Sequence, residues 1–138
     1  MWKSRQELRC PAVEESVPPA RRADRYCALG WGLDAGLADT AELLASELVT
    51  NAVLHADGGD DCRVTCELSG AAFTVTVVDQ GNGIPSMRHE GSGEPEPGGR
   101  GLFLVDTLAD EWGVRGAAPG KAVYFVLAVP GKTPHLPV

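Results

Sequence analysis

The sequence lacks several features that would each point to a particular class of protein. Basic residues are in deficit: 12 Lys and Arg stand against 19 Asp and Glu in 138 residues, a net charge of −7. This argues against direct nucleic-acid binding, because neutralising phosphates requires clustered Lys and Arg. No run approaches the roughly 18 apolar residues of a membrane span, and the opening MWKSRQELRC lacks the apolar core of a signal peptide. The sequence therefore predicts a cytoplasmic protein that contacts no membrane.

The four cysteines do not have the spacing of a metal site. Cys62 and Cys66 share one face of a strand-like segment but lie about 13 Å apart at ~3.3 Å per residue, which is too far for a disulfide or a shared metal. Cys10 and Cys27 have no metal-ligand spacing either. Because cysteines in the cytoplasm are reduced thiols, we expect all four to be packing residues.

The length and the absence of repeats or linkers predict a single domain over residues 1–138. Asp39 followed by Glu42 resembles a capping box and predicts the start of the clearest helix. Helices separated from a run of antiparallel strands indicate an α/β (α+β) two-layer sandwich. The predicted elements are an edge strand within 5–13, helices over 16–31, 39–56 and 101–110, and strands over 62–68, 73–79, 111–116 and 121–129.

The segment ELVTNAVLHA carries three polar residues four positions apart, Glu47, Asn51 and His55. They form one stripe on a helix, and this stripe overlaps the apolar positions that must face the sheet. A polar stripe that merely borders the core is an equally good interpretation of the spacing. Burying a carboxylate without a partner is costly, however, which favours a site.

Two further segments carry glycines in patterns that suit a ligand. The strand FTVTVVD ends at Asp79 and continues into D-x-G-x-G, which lets the backbone approach a flat ligand but also occurs in ordinary turns. GGRGLFLV (98–105) is a glycine-rich loop that opens a helix. The N–H groups at a helix N-terminus attract phosphate, although glycine-rich caps are common.

The order of these motifs is more specific than any one of them. With a Glu/Asn helix, a strand ending in D-x-G-x-G, a long polar loop and G-x-G-L on a helix, the sequence resembles the GHKL ATPases, the superfamily of gyrase, Hsp90, histidine kinases and MutL. More closely it resembles their anti-sigma factor serine kinase branch, of the SpoIIAB and RsbW type. This resemblance implies the Bergerat fold, a largely antiparallel mixed sheet with helices on one face, and an ATP lid over residues 84–99.

The resemblance also implies roles for individual residues. Glu47 would be the catalytic general base, and Asn51 would be a ligand of Mg²⁺ bound with ATP. Asp79 would accept a hydrogen bond from the adenine amino group, and His55 would either contact the nucleotide or pack within the helix. The remaining expected nucleotide contacts are Gly81, Gly83, Ile84, Gly99, Arg100, Gly101, Leu102 and Phe103.

By this resemblance the chain would be an ATP-dependent protein serine/threonine kinase that acts as an anti-sigma factor. Its partners would be a STAS-type anti-anti-sigma protein, a sigma factor or both, and a homodimer is possible. One departure from the family is visible: the threonine expected near the last strand falls on Ala122, in the run GKAVY. An alternative is therefore a nucleotide-sensing module that sequesters a partner without transferring phosphate.

Overall fold

The computed structural model describes residues 3–54, 61–79, 97–116 and 120–130, with the side chains of residues 3, 97–100 and 101 excepted. Within these ranges the chain forms five strands and three helices, preceded at the first helix by a short 3-10 turn. The helices are α1 (Val17–Gly30), α2 (Ala35–Leu54) and α3 (Pro97–Leu108). The strands are β1 (Lys3–Pro11), β2 (Asp61–Ser69), β3 (Ala72–Asp79), β4 (Glu111–Gly116) and β5 (Lys121–Ala128).

The described strands form one sheet in the order β1-β2-β3-β5-β4. All four pairings are antiparallel, so the described part of the sheet is not mixed, although the predicted two-layer sandwich is confirmed. The β2–β3 hairpin turns at Gly70, whose φ of 61° lies in the left-handed region that favours glycine. β1 is an edge strand, as the sequence predicted, but it runs from Lys3 to Pro11 and not within 5–13.

One layer of helices covers one face of the sheet. α2 lies in the middle, packed between α1 and α3 and across β2, β3 and β5. Alternate strand residues point into this layer because successive side chains in a strand face opposite ways. The largest buried side chains of this core include Leu44, Leu48, Phe73 and Phe125. No helix within the described ranges has both the length and the hydropathy required to cross a membrane.

The start of α2 differs from the prediction, which put it at Asp39. The helix begins at Ala35, and Asp34 is its cap: the Asp34 Oδ1 atom accepts a hydrogen bond of 2.8 Å from the Leu37 N–H. Asp39 lies one turn inside the helix and pairs with Arg25 of α1, as does Glu42 at 3.4 Å. The pattern read as a capping box is therefore an ion-pair surface between two helices.

The cysteines pack in the two pairs that the topology brings together. Cys10 and Cys62 are directly opposite each other on β1 and β2, with their Sγ atoms 3.6 Å apart. Cys27 and Cys66 lie near each other between α1 and the sheet, and the Cys66 thiol donates to the Asp24 Oδ1 atom at 3.0 Å. Cys27, Cys62 and Cys66 are buried and Cys10 is partly buried, which agrees with the packing role expected from the sequence.

Asp24 is a carboxyl group enclosed in the core. It is fully buried, and its Oδ2 atom has no hydrogen-bond partner within the described residues. Burial raises the pKa of Asp24 from 3.8 to about 7, against the lowering effect of the Cys66 hydrogen bond; Cys27 and Glu42 raise the pKa further. Folding therefore favours the protonated carboxyl group.

This linkage predicts that the protein loses stability as the pH rises from about 4 to about 7. The stabilisation from protonated Asp24 is complete below its unfolded pKa of 3.8 and is lost above about 7. At about 1.4 kcal/mol per pKa unit, it contributes a few kcal/mol at most to the free energy of unfolding. In urea unfolding across this range, the D24N variant should show a flatter dependence of stability on pH than the parent. E15Q, which removes an exposed carboxylate, is the control; equal slopes for D24N and the parent would contradict the prediction.

Candidate nucleotide site

Glu47 and Asn51, the two described members of the predicted polar stripe, lie one turn apart on α2 as the spacing predicted. Ala41, Leu44 and Leu48 of the same helix are buried in the core. Asn51 is only 2% exposed, and Glu47, one turn earlier, is half-buried. Both polar residues have interactions within the protein. The helix thus holds a carboxylate and an amide about one turn apart on the side that adjoins its apolar face.

A second group of polar residues lies at one end of the sheet, where β3 ends and β5 begins. Asp79 and Lys121 are directly opposite each other across these two strands. The Lys121 Nζ atom donates to the Asp79 Oδ1 atom at 3.1 Å, and the residues are 8% and 1% exposed. This is a buried ion pair, and it lies on the helix-covered face because Asp79 follows the core positions Val75 and Val77 in strand alternation.

Lys121 was not foreseen, and its position corrects the interpretation of Ala122. Ala122 is opposite Val78, so its side chain lies on the face of the sheet away from the helices. It contributes nothing to the face that carries Asp79, whereas Lys121 does. Gly120, with a φ of 91°, precedes β5 and adopts a backbone conformation that favours glycine. The clue in the sequence was a pair of opposite charges at the ends of two apolar, alternating strands.

Asp79 has a cysteine on its other side. Cys62, the second residue of β2, is opposite Asp79 in the register. Burial raises the pKa of the Cys62 thiol to about 12, with further contributions from Cys10 and from the negative charge of Asp79. Cys62 is therefore a neutral thiol at physiological pH, and the cation beside Asp79 is Lys121.

The third predicted segment is helical over more of its length than expected. α3 begins at Pro97, so Gly99 and Gly101 belong to the helix and not to a loop before it. A proline in the first turn costs no hydrogen bond, because the first N–H groups of a helix have no intrahelical partner. Leu102 is buried in the core, and Phe103 is 52% exposed.

The other end of α3 is fixed to β5, the strand next to the edge of the sheet. Just after the helix, the Asp110 N–H donates to the Val126 carbonyl at 3.0 Å, and Asp110 Oδ2 accepts from the Ala128 N–H at 2.7 Å. Ala128 is at the opposite end of β5 from Lys121. The glycine-rich start of α3 is at the other end of the helix from this anchor. The distance between the two ends grows by about 1.5 Å per residue.

Several predicted contact residues fall outside what the structure describes. His55, Gly81, Gly83 and Ile84 lie outside the described residues, as do most of the expected lid over 84–99 and the side chain of Arg100. Their roles stay predictions. Of the predicted site residues, the structure describes Glu47 and Asn51 on α2, Asp79 beside Lys121 at the end of the sheet, and the backbone of the first turns of α3.

The chain is thus a two-layer sandwich with an acid/amide pair on its central helix and a buried carboxylate at the end of β3. The chain belongs to the histidine kinase-like ATPase domain family, whose sequence profile matches residues 10–127. The GHKL resemblance drawn from the three motifs is thereby confirmed, and with it a fold that binds ATP.

One curated relative and one solved structure are similar to this chain. An anti-sigma F factor of Pasteuria penetrans is 30% identical over 133 residues, covering 88% of this chain and 87% of the relative. The crystal structure of the RsbU and RsbW domains of a Mycobacterium tuberculosis protein matches 91% of this chain with a TM-score of 0.67 and 16% identity. The match covers 32% of that larger chain, and at this identity it supports the fold alone.

Proposed function

We propose that this protein is a Mg-ATP-dependent protein serine/threonine kinase that acts as an anti-sigma factor. The observation that carries the proposal is the pair Glu47 and Asn51, which lie one turn apart on α2. The apolar face of α2 packs on the sheet, and Asp79 is the last residue of strand β3 in that sheet. Phosphoryl transfer requires mainly positioning and charge neutralisation, together with one carboxylate near the attacking hydroxyl group. The likeness to a curated anti-sigma F factor supports the regulatory part of the proposal.

The described residues fit Mg²⁺ by their chemistry. Mg²⁺ prefers oxygen ligands and keeps several water molecules, so one amide oxygen together with the nucleotide phosphates suffices. Asn51 supplies such an oxygen from a buried position on α2. The metal, when bound, would neutralise phosphate charge, and the N–H group of Gly99 in the first turn of α3 would contribute a further donor. Arg100 would add the donors of its guanidinium group, and Gly101, one turn inside the helix, would let the phosphates come close to the backbone.

The remaining roles follow the same division. Asp79 holds the adenine amino group, with Gly81, Gly83 and Ile84 beside the base, and the lid over 84–99 covers the nucleotide. His55 contacts the nucleotide or packs at the helix end. Leu102 is anchored in the core and fixes the start of α3 against the sheet, and the exposed Phe103 is available beside it.

In the transfer step Glu47 accepts the proton of a serine hydroxyl group while the serine oxygen forms a bond to the γ-phosphorus of ATP. The bond between the γ-phosphorus and the β,γ-bridging oxygen breaks, and ADP leaves with that oxygen. A positioned carboxylate of this kind accelerates proton transfer by about 10²–10⁴-fold. We propose that the serine belongs to a STAS-type anti-anti-sigma protein, and that a sigma factor is the other partner, in keeping with the name of the relative. Association of the protein as a homodimer is compatible with this role.

The deciding experiment incubates the purified protein with Mg-ATP and candidate STAS partners from the same host and maps phosphoserine by mass spectrometry. We expect one serine of a partner to be modified in the presence of Mg-ATP and not with a non-hydrolysable analogue. Tight ATP binding by calorimetry without transfer to any partner would contradict the kinase assignment. That result would favour the nucleotide-sensing module instead.

The N51A variant should lose the dependence of nucleotide binding on Mg²⁺. Because Asn51 is the amide oxygen assigned to the metal, its removal should weaken Mg²⁺ affinity by at least about tenfold, the loss typical even of residues that support a metal ligand. The measurement is ATP calorimetry with Mg²⁺ and with a chelator. T50A, the adjacent position on α2, is the control, and an N51A protein that still requires Mg²⁺ for tight binding would refute the assignment.

A further inference from the structure

The buried pair formed by Asp79 and Lys121 has more hydrogen-bonding capacity than the contact between its members uses. The ammonium group of a lysine has three donors and no acceptor, and a carboxylate has two oxygens that accept from several directions. One N–H of Lys121 reaches the Asp79 Oδ1 atom at 3.1 Å. The same ammonium can therefore keep this bond and donate to a ligand that lies beside the pair.

Burial strengthens the hydrogen bonds that the remaining Lys121 donors can form. Lys121 is 8% exposed, so its donors are largely removed from water, and a charged donor held in such a site forms a stronger hydrogen bond than it would at the surface. Its position is fixed by the strand register opposite Asp79 and by the turn at Gly120. The result is an acceptor and a cationic donor side by side at the end of the central strands.

The base edge of adenine is the complement of this arrangement. It presents the exocyclic amino group, a donor, next to the ring nitrogen N1, an acceptor. Guanine presents the two functions in the reverse order, with the acceptor O6 where adenine has its amino group. A carboxylate and an ammonium in fixed positions therefore match adenine. With guanine, two acceptors would face each other, the O6 carbonyl of the base and the carboxylate of the protein.

We propose that Lys121 is a base-specificity residue that donates to N1 of adenine while Asp79 accepts from the amino group. The inference rests on the proposed function only in taking Asp79 as the contact to the base. It is independent of phosphate transfer, since the base edge is remote from the γ-phosphate. The two residues thus hydrogen-bond to two adjacent groups of the base, the amino group and N1. The ion pair between Asp79 and Lys121 remains intact when the nucleotide is bound.

The decisive probe is 1-deaza-ATP, in which a C–H group replaces N1 and the amino group is retained. The unmodified protein should bind it about tenfold more weakly than ATP, the loss expected for one hydrogen bond to a charged donor. GTP should compete at least as poorly. Equal affinity for ATP and 1-deaza-ATP, measured by calorimetry on the unmodified protein, would overturn the proposal whether or not any variant folds.

Variants separate this role from a purely structural ion pair. In K121M the preference for ATP over 1-deaza-ATP should disappear, because the methionine donates to neither ligand. A lysine that only supports Asp79 would lower the affinity for both ligands equally and preserve the ratio, which would also overturn the proposal. The matched control is R115M, which removes a cation on β4 whose guanidinium lies 4.7 Å over the ring of Tyr124 on the other face of the sheet; its ratio should equal that of the parent.

The experiments test the role of Lys121 and the kinase assignment separately. A protein that discriminates N1 but modifies no partner serine would support the role of Lys121 and contradict the kinase. A protein that transfers phosphate yet binds 1-deaza-ATP as well as ATP would do the reverse. Circular dichroism and urea unfolding of K121M show whether its binding data come from folded protein.

Discussion

The E47Q variant is expected to transfer phosphate to its partner about 10²–10⁴-fold more slowly than the parent protein. Glutamine has nearly the size of glutamate, so the half-buried position on α2 is filled as before. An amide cannot accept the proton of the serine hydroxyl group at neutral pH, and the loss should therefore fall on the transfer step. ATP affinity should change by no more than about twofold, since a general base contributes to the transition state and little to ground-state binding.

The control for E47Q lies on the same helix. Glu42 is also partly buried, but it is engaged by Arg21 at 3.7 Å and by Arg25 at 3.4 Å on the side of α1. E42Q should retain the transfer rate of the parent. The assay is single-turnover transfer of labelled phosphate to the STAS partner with ATP in excess, and a parent-like rate for E47Q would remove Glu47 from the mechanism.

The D79N variant is expected to lose both stability and nucleotide affinity. It leaves the ammonium of Lys121 buried without its counter-charge, and breaking a buried ion pair from one side costs about 3–5 kcal/mol. This loss should appear as a lower urea midpoint at an unchanged m-value. ATP should bind about tenfold more weakly because a charged acceptor for the adenine amino group has been replaced by a neutral one.

A double variant separates the two effects of D79N. D79N/K121M removes both charges, so most of the stability should return, since replacing a whole buried pair with neutral groups is often neutral or stabilising. Nucleotide affinity should remain low, because neither base contact is restored. If the double variant is as unstable as D79N, the ion pair is not the cause of the destabilisation.

Much of the fold was predictable because it depends on local patterns. Period-two alternation predicted β2, β3 and β5, and the buried face of α2 followed from helical spacing. The start of α2 was wrong because Asp39 and Glu42 also suit an ion-pair surface, and only the packing of α1 shows that they serve that purpose. A local motif does not identify its long-range partner.

The positions of the candidate site residues were predictable to the extent that they follow chain order. The motifs predict Glu47, Asn51 and Asp79 as site residues, and these roles stay predictions, whereas the motifs do not indicate the cation beside Asp79. Whether Lys121 or Ala122 faces Asp79 depends on strand register, and a slip of one residue moves a side chain to the other face. The pairing of Cys10 with Cys62 was likewise hidden, because it joins strands that are far apart in the chain.

The pairing of β1 also has a consequence for the order of folding. The register joins Lys3 to Ser69, so β1 cannot find its neighbour until both intervening helices and β2 have been synthesised. Contacts of such large sequence separation form late, whereas the β2–β3 hairpin around Gly70 closes locally. During synthesis the β1 segment therefore remains unpaired until β2 is available. Its charged residues Arg5, Glu7 and Arg9 oppose pairing with other nascent chains during that time.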